Sequence, residues 1–211
     1  MSNGTFDFNL FLKESKDTLL SPKSYFSTMK TSGGITEPLI KAVIYGTVAG
    51  IFALLWSILR IGAITGGLLG GTFGFMAFVW AIIAAVIGLF IGAVILLIIS
   101  SICAGSTDFE ANLRVSASIM VIMPIMYFFR FATGLNLYLG LIINLILGIY
   151  SIWMLYHGLV ESLKCKTETA KIVCYVLVAL MALFLLLGLT TKSRFERSLN
   201  RFNREMRKDL N

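Results

Sequence analysis

Apolar residues in this chain come in long unbroken runs, not in stripes that alternate with polar positions. Between Ile61 and Thr107 there are 47 consecutive residues without Asp, Glu, Lys, Arg or His. A bilayer core about 30 Å thick is crossed by roughly 20 apolar helical residues. Four stretches satisfy that length: about Pro38 to Leu59, Phe75 to Ile102, Leu135 to Tyr156 and Ile172 to Thr190. A fifth, Val115 to Phe129, has 15 neutral residues between Arg114 and Arg130 and spans if those arginines snorkel to the two interfaces. Membrane β-barrel strands alternate apolar and polar residues, and these runs do not. The pattern predicts an all-α polytopic transmembrane bundle. Ser106-Thr107-Asp108, Thr133-Gly134 and the polar run from Lys164 to Thr169 separate the later spans.

The segment Ile61–Gly74 leaves five spans against six open. Gly62, Gly66, Gly70 and Gly74 recur every four residues, which on a helix makes a stripe that another helix can approach closely. A sixth crossing here requires a hairpin directly after Leu59 with no turn residues, which favours a connector and five spans. Counting cations by side gives nine against nine for five spans and thirteen against five for six, so the positive-inside rule leans the other way. The C-terminal tail decides that count.

Polar segments flank the bundle. Residues 1–37 read as a cytoplasmic N-terminal segment, 38–190 as the membrane domain and 191–211 as a basic amphipathic tail. Ser21-Pro22 is a helix-start pattern and Gly33-Gly34 can end that helix. Lys23, Tyr25, Phe26 and Met29 suit a short helix lying on the headgroups. Phe195, Leu199, Phe202, Met206 and Leu210 recur at steps of three and four among arginines, as in an interfacial helix. Met1–Leu20 lacks a basic region followed by an apolar one, so no cleavable signal peptide is expected.

Composition agrees with the runs: 57% of residues are hydrophobic and 14% charged, against about 25% charged in soluble domains. The net charge is +7, and the cations sit mostly in the tails and one loop, with seven in the last twenty residues. Next to membrane spans such charge points to the bilayer, with anionic lipids at the basic tail, and not to nucleic acid. Cys103, Cys165 and Cys174 form neither a disulfide framework nor a zinc motif.

No nucleophile elbow, zincin or phosphate-loop motif is present. The chain therefore reads as non-enzymatic and free of cofactors, with no catalytic or metal site. The informative ionisable residues are spaced pairs. Glu37 and Lys41 are four apart at the start of the first span, and Glu110 and Arg114 repeat that spacing at the third, after Asp108. Each pair shares a helix face and can neutralise itself where solvation is poor. With Glu161 and Lys171 they are the candidate polar cluster of the cytoplasmic face. Asn144, the strongly polar residue deep in a span, is expected to bond another helix. Pro124 is expected to kink the third span or free a carbonyl.

These residues also carry a resemblance. Leu20-Ser21-Pro22-Lys23-Ser24-Tyr25-Phe26, Glu37-Pro38-Leu39-Ile40-Lys41 and Gly105 through Val115, with Gly158-Leu159 and the run to Lys171, resemble the Yip family of Ypt-interacting membrane proteins and their bacterial relatives. Ser116-Ala117-Ser118 stands where the family usually has tyrosine. The resemblance implies about five spans and a cytoplasmic N-terminus. In eukaryotic relatives it implies vesicle trafficking through Rab-type GTPases. The short N-terminal segment is more like bacterial members, which implies a bacterial inner membrane, the alternative being endoplasmic reticulum or Golgi. The expected function is a membrane-organising or trafficking-type adaptor binding proteins or lipids, including membrane-protein partners or further copies of itself. A small transporter or channel using the glycine-rich segment, Pro124 and Asn144 is the alternative.

Overall fold

The computed structural model describes residues 7–59, 70–185 and 187, and the side chains of 70–74 lie outside that description. Among the described residues the chain is helical throughout, without a strand. Five helical segments are long and apolar enough to cross a membrane: Thr36–Ile58, Phe75–Ile102, Phe109–Leu135, Leu137–Ser162 and Thr167–Leu185. The described residues up to Cys174 form one compact unit, and the rest of the last helix belongs to a second, from Tyr175.

Two short helices precede the first crossing. Helix α1, Phe8–Leu20, starts because the Asp7 carboxylate accepts the backbone N–H groups of Asn9 and Leu10 at 2.9 and 3.1 Å. Helix α2, Pro22–Thr28, has proline at its first position, where the missing N–H costs nothing. Ser21 marks the start as expected but makes no capping bond with its side chain. Two expectations about this region are corrected. Helix α2 ends at Thr28, five residues before Gly33, and its aromatic face is turned into the protein and not exposed. Tyr25 and Phe26 are buried against Val115, Leu159 and Leu163, because a short helix with two adjacent aromatics gains more by plugging the bundle.

The first two crossings are α3, Thr36–Ile58, and α4, Gly70–Ile102. They run antiparallel: Gly50 meets Phe78 while Gly46 meets Ala81, Ile82 and Ala85. A Cβ on Gly46 would lie 2.7 Å from the Ala85 Cβ, and one on Gly50 would lie 3.0 Å from the Phe78 carbonyl oxygen. Bare backbone at these two positions sets the interhelical distance. Facing them, Ala81, Ala85, Leu89 and Ala93 form the buried edge of α4, while Ile83, Ile87, Ile91 and Ile98 are exposed. Small residues inside and large ones outside is the arrangement of helices solvated by lipid, where packing and not expulsion from water holds helices together.

Among the described residues it is Gly46 and Gly50 that carry this contact. Gly62 and Gly66 lie outside the described residues. Gly70 and Gly74 are already helical, so α4 begins inside the segment read as a connector.

The third crossing is broken into α5, Phe109–Ile119, α6, Ile122–Phe128, and α7, Phe131–Leu135. Pro124 has no N–H to give the Met120 carbonyl, and that oxygen accepts from Met123 N–H instead, at 2.9 Å. At the second break the Tyr127 carbonyl accepts from the Trp56 indole of α3 at 3.0 Å. Asn136 caps the fourth crossing, α8, Leu137–His157, by accepting from Tyr138 N–H at 2.8 Å. A π turn, Gly158–Ser162, extends it, followed by the last crossing α9, Thr167–Leu185.

Candidate functional site

The polar groups gather on one face, where α3, α5 and α9 begin and α4 and α8 end. Two loops on this face are joined through their backbones. Ser106 N–H donates to the Leu163 carbonyl at 2.7 Å, and Lys166 N–H donates to the Cys103 carbonyl at 2.9 Å. Ser162 Oγ donates to the Phe26 carbonyl at 2.7 Å, tying α2 to the π turn. Gly158 permits that approach, since a Cβ there would lie 2.7 Å from Val115 Cγ1. Cys103 and Cys165 are free thiols buried in this clasp, and burial pushes both thiols up from their usual pKa.

The two spaced pairs meet beside the clasp. On α3, Lys41 Nζ lies 2.8 Å from Glu37 Oε1, and on α5, Arg114 Nε lies 3.1 Å from Glu110 Oε1. Glu37 joins them, its other oxygen 2.9 Å from Arg114 Nη1. Glu14 of α1 completes the chain of charges at 2.7 Å from Lys41 Nζ. The Lys41 and Arg114 side chains are only 8% and 6% exposed, so two desolvated cations are matched by three carboxylates. Removing one partner from a buried pair costs about 3–5 kcal/mol, less where the partner keeps water as Glu37 does.

The loop before α3 is shaped to this network. Arg114 Nη2 donates to the Gly34 carbonyl at 3.0 Å, and Gly34 N–H donates to Glu110 Oε1 at 2.6 Å. Gly33 and Gly34 have φ of +133° and +90°, which side-chain-bearing residues rarely adopt. A Cβ on Gly33 would also lie 2.8 Å from Arg114 Nη2. This pair serves the guanidinium and does not terminate α2.

Hydroxyl contacts fix α1 and α2 over the network. Ser15 Oγ and Tyr45 OH are 2.7 Å apart, Tyr25 OH and Ser118 Oγ are 2.9 Å apart, and Tyr150 OH donates to the Leu19 carbonyl. Between these elements lies a cavity of about 380 Å³, lined by Lys41, Arg114, Glu37, Glu14 and Tyr25 among others.

Of the sequence-predicted residues, Glu37, Lys41, Glu110 and Arg114 therefore converge, while the others are placed elsewhere. Asp108 caps α5, accepting from Ala111 N–H at 3.1 Å. Glu161 sits in the π turn, and Lys171 pairs with Glu168 at 3.0 Å on the surface. Arg114 does not snorkel outward as expected, because the carboxylates supply inside the protein what water would supply outside it. Arg130 sits over the Tyr127 ring, 5.8 Å from its centroid. Asn144 donates to the Gly140 carbonyl of its own helix at 2.8 Å, so the expected helix–helix bond is not the one it makes. The basic tail lies outside the described residues. Glu14 and Gly34 were missed by sequence reasoning. Asp7 before the buried positions Phe11 and Thr18, one helical face, was the available sign of α1.

Among the described residues, no three His, Cys, Asp or Glu side chains gather as metal ligands would. No curated protein and no solved structure matches the chain. The family model of the Yip1 domain matches residues 16–189, taking in Glu37, Lys41, Glu110 and Arg114 and every described crossing. With most of its length covered by that match and five apolar helices of spanning length among the described residues, the chain is an integral membrane protein that belongs to the Yip family.

Proposed function

We propose that this chain is a non-enzymatic adaptor whose N-terminal face, the side on which α3 begins, docks other proteins and lipids at the cytoplasmic surface. The observation that supports it is the charge network spanning α1, α3 and α5. It holds the N-terminal helices in one geometry while leaving Lys13, Lys16, Lys23 and Glu161 outside it. A preorganised charged surface on a membrane domain selects partners by complementarity and register more than by buried area. Residues 1–37 then act with the membrane domain and not as a separate module.

The test is recovery of cross-linked partners from native membranes, comparing wild type with Glu110→Ala/Arg114→Ala and with Lys13→Glu/Lys16→Glu. The second variant changes only exposed charge, so its fold is expected to stay intact. Reduced recovery in both supports docking at this face. Equal recovery of the same partners in all three removes it.

The transporter reading has less behind it, because the Met120 carbonyl freed by Pro124 is taken by Met123, and Asn144 gives its amide to its own helix.

A further inference from the structure

We propose that the cavity beneath α1 binds the headgroup of a zwitterionic phospholipid that carries a primary ammonium. This deepens the docking reading by naming one lipid occupant of that face.

The argument begins with unused donors. Lys41 has three N–H groups and Arg114 five, but their described acceptors number two for the lysine, the Glu14 and Glu37 carboxylates, and three for the arginine. Both side chains are more than nine-tenths buried and both line the cavity. Each of their nitrogens has a partner, and the N–H groups left over can take further acceptor oxygens in the cavity, which a phosphate diester supplies in charge-assisted form.

Charge then selects among phosphates. Lys13 and Lys30 add two cations to the lining, while Asp17 joins Glu14 and Glu37 as carboxylates. With Glu110 on Arg114, cations and carboxylates balance. A purely anionic ligand meets as much repulsion as attraction in such a site, whereas a ligand bearing both signs satisfies both. A primary ammonium donates hydrogen bonds to Asp17 and Glu14, and a quaternary one has no N–H to donate.

Position selects a lipid over a soluble phosphate. Glu37 and Lys41 lie in the first two turns of a membrane-crossing helix, at headgroup depth, and Leu10, Met29, Pro38 and Ala117 supply an apolar wall for the glycerol and first acyl carbons.

The experiment uses the full chain purified in detergent and offered phosphatidylethanolamine, phosphatidylcholine, phosphatidylglycerol or soluble phosphoethanolamine. Retained lipid is read by native mass spectrometry and stability by thermal unfolding. The expected result is one phosphatidylethanolamine retained per chain, several-fold above the other two lipids, with a raised Tm. Asp17→Asn and Lys30→Gln, which lie outside the ion network, should each lower that retention several-fold while leaving the lipid-free Tm unchanged. Equal retention of the three lipids, preference for phosphatidylglycerol, or unchanged retention in both variants would overturn the proposal. Stabilisation by phosphoethanolamine as strong as by the lipid would overturn the lipid as its source. Partner recovery in the same two variants separates the readings: docking that survives loss of lipid selectivity stands by itself.

Discussion

The α3–α4 contact and the N-terminal face hold together by different means within one chain. Along α3 and α4 the decisive atoms are ones that are missing, the side chains of Gly46 and Gly50 against Ala85 and Phe78. At the N-terminal face they are polar: five charged side chains, a glycine turn and two loops bonded through their backbones. The difference follows the solvent. In hydrocarbon a helix gains nothing by leaving lipid for another apolar surface, so only close approach discriminates. Near the headgroups, groups withdrawn from water must find partners, and the partners then fix geometry. One region is specified by shape, the other by pairing.

The comparison sharpens most through Arg114. Arg114→Met leaves Glu37 and Glu110 without their shared cation and the Gly34 carbonyl without its donor. Unfolding in mixed micelles should show a loss of about 2–4 kcal/mol, below the cost for a fully buried pair because Glu37 and Glu110 keep some water. A loss under about 1 kcal/mol would mean that water replaces the guanidinium and the pairing is incidental.

Gly46 and Gly88 test the shape side. Gly46→Ala places a methyl 2.7 Å from Ala85 Cβ, while a methyl on Gly88 meets nothing within 4 Å. The first should destabilise by about 1–3 kcal/mol, as overpacking does. The second should be neutral or stabilising by up to about 1 kcal/mol, since alanine is the better helix former. Equal effects would break the claim that approach distance holds α3 to α4.

Tyr25→Phe removes one buried hydroxyl pair and should cost about 0.5–1.5 kcal/mol in the same assay. Ser118 keeps its bond to the Arg114 carbonyl, at 3.0 Å, which limits the loss.

The smallest expected effect concerns the clasp. Because burial raises the pKa of Cys103 and Cys165, both are neutral thiols at pH 7, and the thiolate is the reactive form. Maleimide labelling should be slow in the folded protein and fast once it is denatured. A group whose pKa rises on folding favours the folded state below its unfolded pKa, here about 8.5. That contribution is lost as pH climbs from there through the raised folded value. Fast labelling at pH 7 without unfolding would show the clasp open.

How far the sequence was readable divides along the same line. The crossings were legible because a run of twenty apolar residues has one physical solution in a bilayer, and the second span ends at Ile102, where its composition indicates. Glu37–Lys41 and Glu110–Arg114 were legible as local pairs, since four-residue spacing fixes a shared helix face. What joins them was not, because the Glu37–Arg114 contact spans 77 residues and no periodicity encodes it. The packing glycines show the same limit. The close contact of α3 with α4 falls at Gly46 and Gly50, which only the partner helix identifies. Tyr25 and Phe26 read as interfacial because amphipathic anchors and buried plugs share a composition, and burial is decided by neighbours remote in sequence.

The central claim is that Glu37 and Arg114 bind the starts of α3 and α5 into one N-terminal face. A double-mutant cycle with Glu37→Gln and Arg114→Met, followed by unfolding in mixed micelles, measures this directly. The account predicts a coupling of about 1–3 kcal/mol, within the range for residues in one charged network. Effects that add to within about 0.5 kcal/mol would contradict it.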